Sequence, residues 1–566
     1  MEKKVSNEGH ASNDSYNLNI EASRPAETTE FNLANQHDQL ERGLKSRHIQ
    51  FLALGGAIGT GLFVGSGGIL SACGPAPLFM AYIFMMTIVW TVMNCLAEMV
   101  TLLPMRGITV PYFVERFVDP SLAFAAGWNY WYVYAILVGA EASAASIVIN
   151  YWPGAAKVHV AVWITIVLFV MLFLNIIAVQ FFGEAEFWFA SIKLLAILGL
   201  IILGIVIFFG GGPNQDHVRG FYYWDHPGAF VQYKNVAGST GRFLAFWHAF
   251  ITAGFAFITS PELIAIAAGE TVAPRRNIPK AARRFVWRLA IFYGCSSLII
   301  GILVASNDDR LLGAVAEGKG GAAASPFVIG IQRVGINVLN HIINAAILTS
   351  AWSAGNSFLY SGSRVLYSMS LTGNAPRIFS KTTRLGVPWV AVLTTFAVGL
   401  LSYLNVSNSG EKVFTWFVNL STISGYIAWI IVMITYVRFR KGLMYHNMMD
   451  ARPYKTPLQP YASYFMIALV SLLTITNGFQ TFMAKPFVAA DFIAAYITIP
   501  IVLFLYVGHK IAMFIIHGRN SPQARFAIPV HEIDVVTGVK EMDELEQMEE
   551  ERVASNWAQK VWYWLA

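Results

Sequence analysis

Charged residues are scarce in this chain. Asp, Glu, Lys and Arg make up 13% of its 566 residues, whereas hydrophobic residues make up 56%. A soluble protein of this size carries about 25% charged residues. The low charge therefore excludes a soluble globular protein, because the excess apolar surface has to face lipid.

Cysteine and processing signals are also scarce. The three cysteines (Cys73, Cys95 and Cys295) fall in or beside apolar runs, which argues against a disulfide framework and gives no metal-ligand spacing. The first apolar run lacks a small-residue cleavage site, so no cleavable signal peptide is visible. The net charge of +6 is loop charge of the kind that orients a membrane protein, and we expect no nucleic-acid partner and no metal.

Catalytic motifs are missing as well. The chain contains neither H-E-x-x-H nor G-x-S-x-G. Residues 313–319 fit G-x-x-x-x-G-K, but Gly320 replaces the Ser or Thr that a phosphate-binding loop requires. We therefore expect no enzyme activity and no cofactor.

Apolar runs of spanning length recur about twelve times. They lie near residues 49–71, 77–103, 122–151, 158–181, 185–209, 243–269, 284–305, 327–350, 387–405, 413–437, 461–483 and 488–516. The sequence thus predicts an all-α integral membrane protein. Its transmembrane domain covers residues 48–517, between a disordered N-terminal tail (1–47) and a C-terminal tail (518–566).

Lysine and arginine are distributed unevenly among the loops. They cluster before the first span and again after the sixth, eighth and tenth spans. The positive-inside rule places these loops, and both termini with them, in the cytoplasm. An even number of spans agrees with this orientation.

Glycine crowds the middle of the first span, where residues 53–65 read ALGGAIGTGLFVG. Each glycine weakens a helix by about 1 kcal/mol against alanine. One interpretation is a broken helix whose bare N–H groups hold a ligand, because exposed backbone at this depth must line a polar cavity or be buried in protein. The other is a face for close helix packing, since Gly55 and Gly59, like Gly61 and Gly65, have G-x-x-x-G spacing.

The sixth span carries a matching irregularity. Gly254 lies near its centre, and Pro261, which lacks a backbone N–H, follows. Breaks five spans apart are typical of a transporter built from inverted repeats, with substrate bound at both breaks. This interpretation gives a first repeat at about 48–212, a second at about 240–440 and two extra spans at about 460–517. The alternative is that Gly and Pro are ordinary in membrane helices.

Two such breaks match a zwitterionic amino acid. The half-helix after the first break offers N–H groups to a carboxylate, and the half-helix that ends at the second offers carbonyls to an ammonium. Hydroxyls of Thr60, Thr259 and Ser260 add contacts, while Phe255 and Phe257 close over the side chain. The predicted substrate-binding residues are Ala57, Ile58, Gly59, Thr60, Gly61, Phe255, Ala256, Phe257, Thr259 and Glu262.

An ionisable residue inside a membrane span costs at least about 2.5–3.5 kcal/mol on insertion scales, and three of those inside the predicted spans are candidates for a functional role. Glu141 lies in the third span among small residues, Lys193 in the fifth and Glu262 in the sixth. For the two glutamates we predict proton binding or contact with the substrate amine, since burial favours the protonated form of a carboxylate. Lys193 is either part of this machinery or a lysine that reaches to the interface.

Several motifs together resemble the fungal amino-acid permeases, the yeast branch of the amino acid–polyamine–organocation superfamily. They are LKSRHIQ at 44–50, LGGAIGTGLF at 54–63, GWNYW at 127–131, AGET at 268–271, SAGNS at 353–357 and SRVLY at 363–367. The resemblance extends from about residue 44 to about 520. Residues 223–230 and 241–243 also resemble the dicarboxylic-amino-acid permeases within that family.

The resemblance implies a proton-coupled importer in the plasma membrane with the leucine-transporter-like five-plus-five fold. It implies that Glu141 takes part in proton coupling, and that Lys193 occupies a sodium position facing Ser353 and Ser357. Family members usually have Gly-Thr-Glu where this chain has Ser260-Pro261-Glu262, so the substrate cannot be copied from a typical member.

The resemblance and the topology also define the partners. We expect a small amino acid, protons and the lipid bilayer, with trafficking or ubiquitination machinery as candidate partners of the cytoplasmic tails. The alternative function is a non-transporting amino-acid sensor on the same fold.

Overall fold

The computed structural model describes residues 59–103, 110–177, 179–215, 218–262, 274–316, 325–336, 338–407, 410–518, 521–540 and 543. Within these ranges the regular structure is helical and contains no β-strand. Ten helices in the described part are long and apolar enough to cross a membrane. These observations confirm an all-α membrane protein.

The helices are numbered here in chain order. They are α1 (Gly61–Cys73), α2 (Pro75–Leu102), α3 (Val110–Phe117), α4 (Pro120–Ile149), α5 (Val160–Ile177), α6 (Val179–Phe208), α7 (Gly238–Ala253), α8 (Pro274–Leu289), α9 (Ser296–Leu303), α10 (Asp309–Ala316), α11 (Pro326–Arg333), α12 (Leu339–Leu371), α13 (Trp389–Gly399), α14 (Gly410–Tyr445), α15 (Tyr461–Thr476), α16 (Phe479–Phe482), α17 (Ala489–Tyr496) and α18 (Thr498–His517). A π-helical segment, Gly61–Gly65, opens α1, and another, Ala290–Cys295, joins α8 to α9.

Helix α4 lies at the centre of the fold. In its most apolar window 83% of the residues are buried inside the protein, against 6% in α18. It packs against α12 and α14, and its small residues from 139 to 146 let neighbouring backbones approach closely. Helix α18 therefore presents most of its surface to lipid, whereas α4 is enclosed by other helices.

The start of α4 is set by local sequence. Asp119 is its N-cap, and the Asp119 carboxylate accepts a hydrogen bond of 3.0 Å from the N–H of Leu122. Pro120 occupies the first helical position, where its missing N–H costs nothing. These residues fix the point at which α4 begins.

The helices fall into two sets by their contacts, and α4 belongs to the second of them. Helix α2 packs against α7 and α8, and α1 packs against α7. Helix α12 packs against α5, α6 and α13 in addition to α4. The first and sixth predicted spans thus belong to one set, and the third and eighth belong to the other.

The eighth span differs from its prediction at 327–350. Residues 326–333 form the separate short helix α11, a turn follows at Gly335 (φ 84°), and the long helix α12 covers 339–371. Its second half contains serines and Arg364, which are buried against other helices rather than exposed to lipid. Hydropathy therefore misplaced the span, because a helix enclosed by other helices can carry polar residues and is then not recognised by its apolar composition.

The first predicted span, 49–71, lies only partly within the described residues. Its described part is α1, an apolar helix shorter than a membrane crossing. A total of twelve spans is therefore not established by the helices seen, and it remains part of the proposal below.

Candidate functional site

The chain is interrupted in the middle of the sixth predicted span. Helix α7 ends at Ala253, and a 3-10 turn over Gly254–Phe257 follows. Ile258 is extended and Thr259 has a φ of 67°, a left-handed conformation that strains a β-branched residue. Helical structure resumes at Ser260, so Pro261 lies in a first turn, where a missing N–H is tolerated.

Tyrosine hydroxyls from other helices satisfy carbonyls near this interruption. The Tyr426 hydroxyl of α14 donates to the Ile251 carbonyl at 2.7 Å, and the Tyr293 hydroxyl donates to the Ala256 carbonyl at 2.9 Å. Gly254 is required beside Tyr426, because a Cβ there would lie 2.0 Å from the tyrosine oxygen. The interruption is therefore supported by packing and hydrogen bonds.

The glycine-rich stretch of the first span meets this interruption. Ala57 and Ile58 lie outside the described residues, Gly59 is in a bend, and the π-helical segment begins at Gly61. A Cβ at Gly61 would lie 2.7 Å from the Ala256 Cα, so the two backbones touch.

The close-packing interpretation holds only in part for these glycines. A Cβ at Gly65 would meet no atom within 4 Å, so Gly61 and Gly65 do not form one packed face. Gly59 and Gly61 instead allow close approach to α4 and to the α7 interruption.

Glu141 lies directly beside the start of α1. It is 2% exposed, and its Oε1 accepts a hydrogen bond of 3.2 Å from the Thr60 hydroxyl. A Cβ at Gly59 would lie 2.8 Å from the same oxygen. Its Oε2 is buried and has no hydrogen-bond partner among the described residues. The predicted residues Gly59, Thr60 and Glu141 are therefore brought together.

Lys193 is buried on α6, within electrostatic range of both Glu186 and Glu141. Ser353 of α12 reaches this region as predicted, but its hydroxyl donates to the two carboxylate oxygens of Glu186, at 2.9 and 2.8 Å. Ser357, one turn further along α12, is also fully buried. Lys193 therefore belongs to a buried polar cluster rather than reaching to the interface.

Sequence reasoning did not single out Glu186. The available signal was its spacing: it precedes Lys193 by seven residues, which is two helical turns and places both on one face of α6. The predicted fifth span starts at residue 185, which puts Glu186 at its end. In the structure α6 begins at 179, and Glu186 is fully buried within it.

Glu262 lies in a second polar cluster, just after the interruption. It is buried, and Tyr130 and Tyr134 of α4 lie within electrostatic range of it. Five oxygens are buried here without a hydrogen-bond partner in the described part of the chain: Glu262 Oε2, Thr259 Oγ1, Ser260 Oγ, Tyr130 Oη and Tyr134 Oη. Buried polar atoms are rarely left unpaired, so this cluster can accept a polar ligand or a proton.

The two predicted aromatic residues face different neighbours. The Phe257 ring is fully buried between Tyr82 and Tyr293, with centroid distances of 5.6 and 4.4 Å. Phe255 packs edge-on against Phe414 of α14 at 5.7 Å and keeps a small exposed fraction. Phe255 is therefore better placed than Phe257 to cover a ligand, whereas Phe257 braces the interruption.

Comparisons with known proteins agree with this geometry. Residues 48–514 match the family described as Amino acid permease. The chain is 53% identical to the proline-specific permease of Emericella nidulans, over 94% of each chain. It is 50% identical to the proline-specific permease of Saccharomyces cerevisiae, over 89% of this chain and 80% of that one. The dicarboxylic amino acid permease of the same yeast is 40% identical, over 84% and 78%.

A solved structure with the same overall architecture is a manganese transporter of Eremococcus coleocola. The TM-score is 0.52 at 15% identity, over 88% of this chain and 98% of that one. This likeness concerns the fold alone. The sequence comparisons go further, because the family match and the two relatives that are at least 50% identical cover most of the chain. This chain belongs to the amino acid permease family and is a membrane transporter of amino acids.

Proposed function

We propose that this protein imports proline together with a proton across the plasma membrane. The observation that carries the proposal is the contact between Gly61 and Ala256, one residue from the Thr60 hydrogen bond to Glu141. It brings the backbone of the first and sixth predicted spans next to a buried carboxylate. Proline is favoured as the substrate because two relatives that are at least 50% identical are named proline-specific permeases.

The backbone at the two interruptions provides the binding groups. The N-terminal end of α1 directs N–H groups and the positive end of the helix dipole toward a carboxylate. The C-terminal end of α7 directs carbonyl groups toward the substrate amine, with Glu262 and Thr259 close behind. Phe255 lies where it can cover a small apolar ring.

Proton coupling rests on Glu141. A proton taken from the outer solution converts its carboxylate to the neutral acid, and release to the cytoplasm restores the charge. One charge moved through 100 mV provides about 2.3 kcal/mol, which supports roughly a fiftyfold substrate gradient.

The architecture that we propose is the five-plus-five inverted repeat. The first and sixth spans are interrupted, substrate is exposed alternately to each side, and two further spans follow. Both termini would lie in the cytoplasm. In support, two arginines that follow the tenth and sixth predicted spans bond to residues after the last span. Arg438 of α14 donates to the Ile528 carbonyl, and Arg275 of α8 donates to the Asp543 carboxylate. The repeat and tail boundaries given above stay part of this proposal.

Radiolabelled proline uptake tests the proposal. Cells that lack their own proline transport and express this protein should accumulate proline, and an uncoupler should abolish the accumulation. Unlabelled proline should compete, whereas aspartate and lysine should not. Binding without uptake would support the sensor, and uptake that an uncoupler leaves unchanged would exclude proton coupling.

A further inference from the structure

Three ionisable side chains form a buried cluster between α4, α6 and the serines of α12. They are Glu141, Glu186 and Lys193, and each is at most 2% exposed. The cluster contains two carboxylates and one ammonium, so it carries one excess negative charge when all three are ionised. An uncompensated buried charge is costly, and one bound proton makes the cluster neutral. The question is which carboxylate exchanges that proton.

Glu186 has the features of a permanent counter-ion. Ser353 donates to both of its carboxylate oxygens, at 2.9 and 2.8 Å. Glu186 and Lys193 lie on the same helix, two turns apart, and long side chains on a helix lean toward its N-terminus, which is where Glu186 lies relative to Lys193.

Glu141 has the opposite features. Its hydrogen bond from Thr60 joins α4 to the start of α1, two helices from the two separate sets described above. Its second oxygen has no partner among the described residues. A rearrangement of α1 against α4 would break this contact, whereas the pairing within α6 would move as one body.

The helices around α6 add few other titratable groups. Helices α5 and α9 contain no Asp, Glu, His, Lys, Arg, Cys or Tyr. The segment Ala290–Cys295 contributes Tyr293, which lies within electrostatic range of Glu141 and packs against Tyr82. On α12 the titratable groups are His341, Tyr360, Arg364 and Tyr367. Tyr360 is nearest to Ser353, about 10 Å along the helix, and the other three are at least about 16 Å away.

We propose that Glu186 is the fixed counter-ion of Lys193 and thereby leaves Glu141 as the carboxylate that exchanges the transported proton. Glu186 is thus a positioning residue, which acts through Lys193 on the proton site. This inference rests on the proposed proton-coupled import. It assigns a role to a residue outside the predicted site.

The variant Glu186→Gln tests the inference by removing one negative charge from the buried cluster. One carboxylate and one ammonium then remain, so Glu141 can stay ionised beside Lys193 without a proton. We expect the accumulation ratio to fall toward 1 and the pH dependence of uptake to flatten, while exchange of external for internal proline continues. Glu184→Gln, on the same helix two residues earlier, is the matched control and should accumulate proline like the wild type.

A double variant separates charge from structure. Glu186→Gln with Lys193→Met removes one charge of each sign and restores the single excess carboxylate, so accumulation should recover at least fivefold over Glu186→Gln alone. Wild-type accumulation in Glu186→Gln, or loss of exchange that the double variant does not rescue, would overturn the role of Glu186. Failure of the proposed function is seen separately, as wild-type uptake that is insensitive to an uncoupler.

Discussion

Two buried glutamates in this protein have very different surroundings. Glu98, near the end of α2, accepts hydrogen bonds from the Tyr436 hydroxyl (3.0 Å), from the Thr456 N–H (3.3 Å) and hydroxyl (2.8 Å), and from the guanidinium of Arg452. Glu141, near the middle of α4, accepts one from Thr60 and has an unpaired oxygen among the described residues. The Glu98 carboxylate is fully hydrogen-bonded within the protein, whereas the Glu141 carboxylate can still accept a hydrogen bond or a proton.

The difference separates structural from functional polar groups. Glu98 ties the segment between α14 and α15 to α2, and its bonds leave no role for a proton or ligand. The unpaired oxygens around Glu141 and Glu262 cost stability unless something else satisfies them. We infer that a proton and the substrate do so during transport.

The segment after the last span, residues 521–540, is structural in the same sense as Glu98. The Ile528 N–H donates to the Val118 carbonyl at 2.8 Å, and the Lys510 ammonium of α18 donates to the Arg525 carbonyl. Ile533 and Val535 are buried on Gly442 of α14. Residues 521–540 are therefore packed against the helices, a feature that the sequence reasoning treated only as a tail.

The largest effect is expected for Glu98→Ala. It leaves Arg452 buried without its partner, and breaking a buried ion pair costs about 3–5 kcal/mol. Unfolding in detergent should show this loss, while the protein that remains folded keeps its proline affinity. Asp450→Asn removes the fully exposed carboxylate of the ion pair with Lys455 and should leave the stability unchanged. Equal stability of Glu98→Ala and Asp450→Asn would contradict the structural role of Glu98.

Glu141→Gln should have the opposite effect to Glu98→Ala: it should impair transport and leave stability nearly unchanged. It removes the proton site, so the accumulation ratio should fall from roughly fiftyfold per 100 mV, or about 2.3 kcal/mol, to 1. The unfolding midpoint should stay close to that of the wild type, because Glu141 makes few bonds. Uptake with and without an uncoupler checks this, with exchange as the control for correct folding. Concentrative uptake by the variant would remove Glu141 from the mechanism.

Ile533→Val should destabilise the protein moderately. Loss of one buried methylene typically costs about 0.5–1.5 kcal/mol. Val536→Ala, three residues on and about half exposed, is the control and should be close to neutral. Thermal unfolding of both variants measures the difference, and an unchanged Ile533→Val would show that the segment does not pack in solution.

The smallest effect is expected for Asp534→Asn. Burial alone would raise the pKa of Asp534, but Arg116 and the N–H groups of Thr537 and Val536 hold it below its usual value of 3.8. The stabilisation is therefore present above pH about 4 and is lost as the pH falls through the lower folded pKa.

At neutral pH the loss in Asp534→Asn should stay below about 1 kcal/mol, because the carboxylate is 44% exposed. Unfolding midpoints of wild type and variant should converge on acidification. A difference between them that grows as the pH falls would be the opposite of this expectation.

Sequence alone predicted the all-α membrane class and the family, because hydropathy reports directly on membrane helices and several motifs together identify the family. The paired breaks and the inverted repeat stay predictions. The sequence reasoning misplaced the eighth span, since the serines of α12 are polar but enclosed. It also missed Glu186 and the packed segment around Ile533. The spacing of Glu186 and Lys193 is a local signal, but the hydrogen bond from Ser353 to Glu186 and the packing of Ile533 on Gly442 join residues far apart in the chain, which no local pattern encodes.

The central claim is that the bare backbone of the first span meets the interrupted sixth span at the binding site. Proline binding to purified Gly61→Ala and Gly65→Ala variants tests it most directly. A methyl group at Gly61 meets Ala256, whereas one at Gly65 meets no atom within 4 Å. We predict that Gly65→Ala binds like the wild type and Gly61→Ala binds at least about tenfold more weakly, or 1.4 kcal/mol. Equal affinity of the two variants would contradict the account.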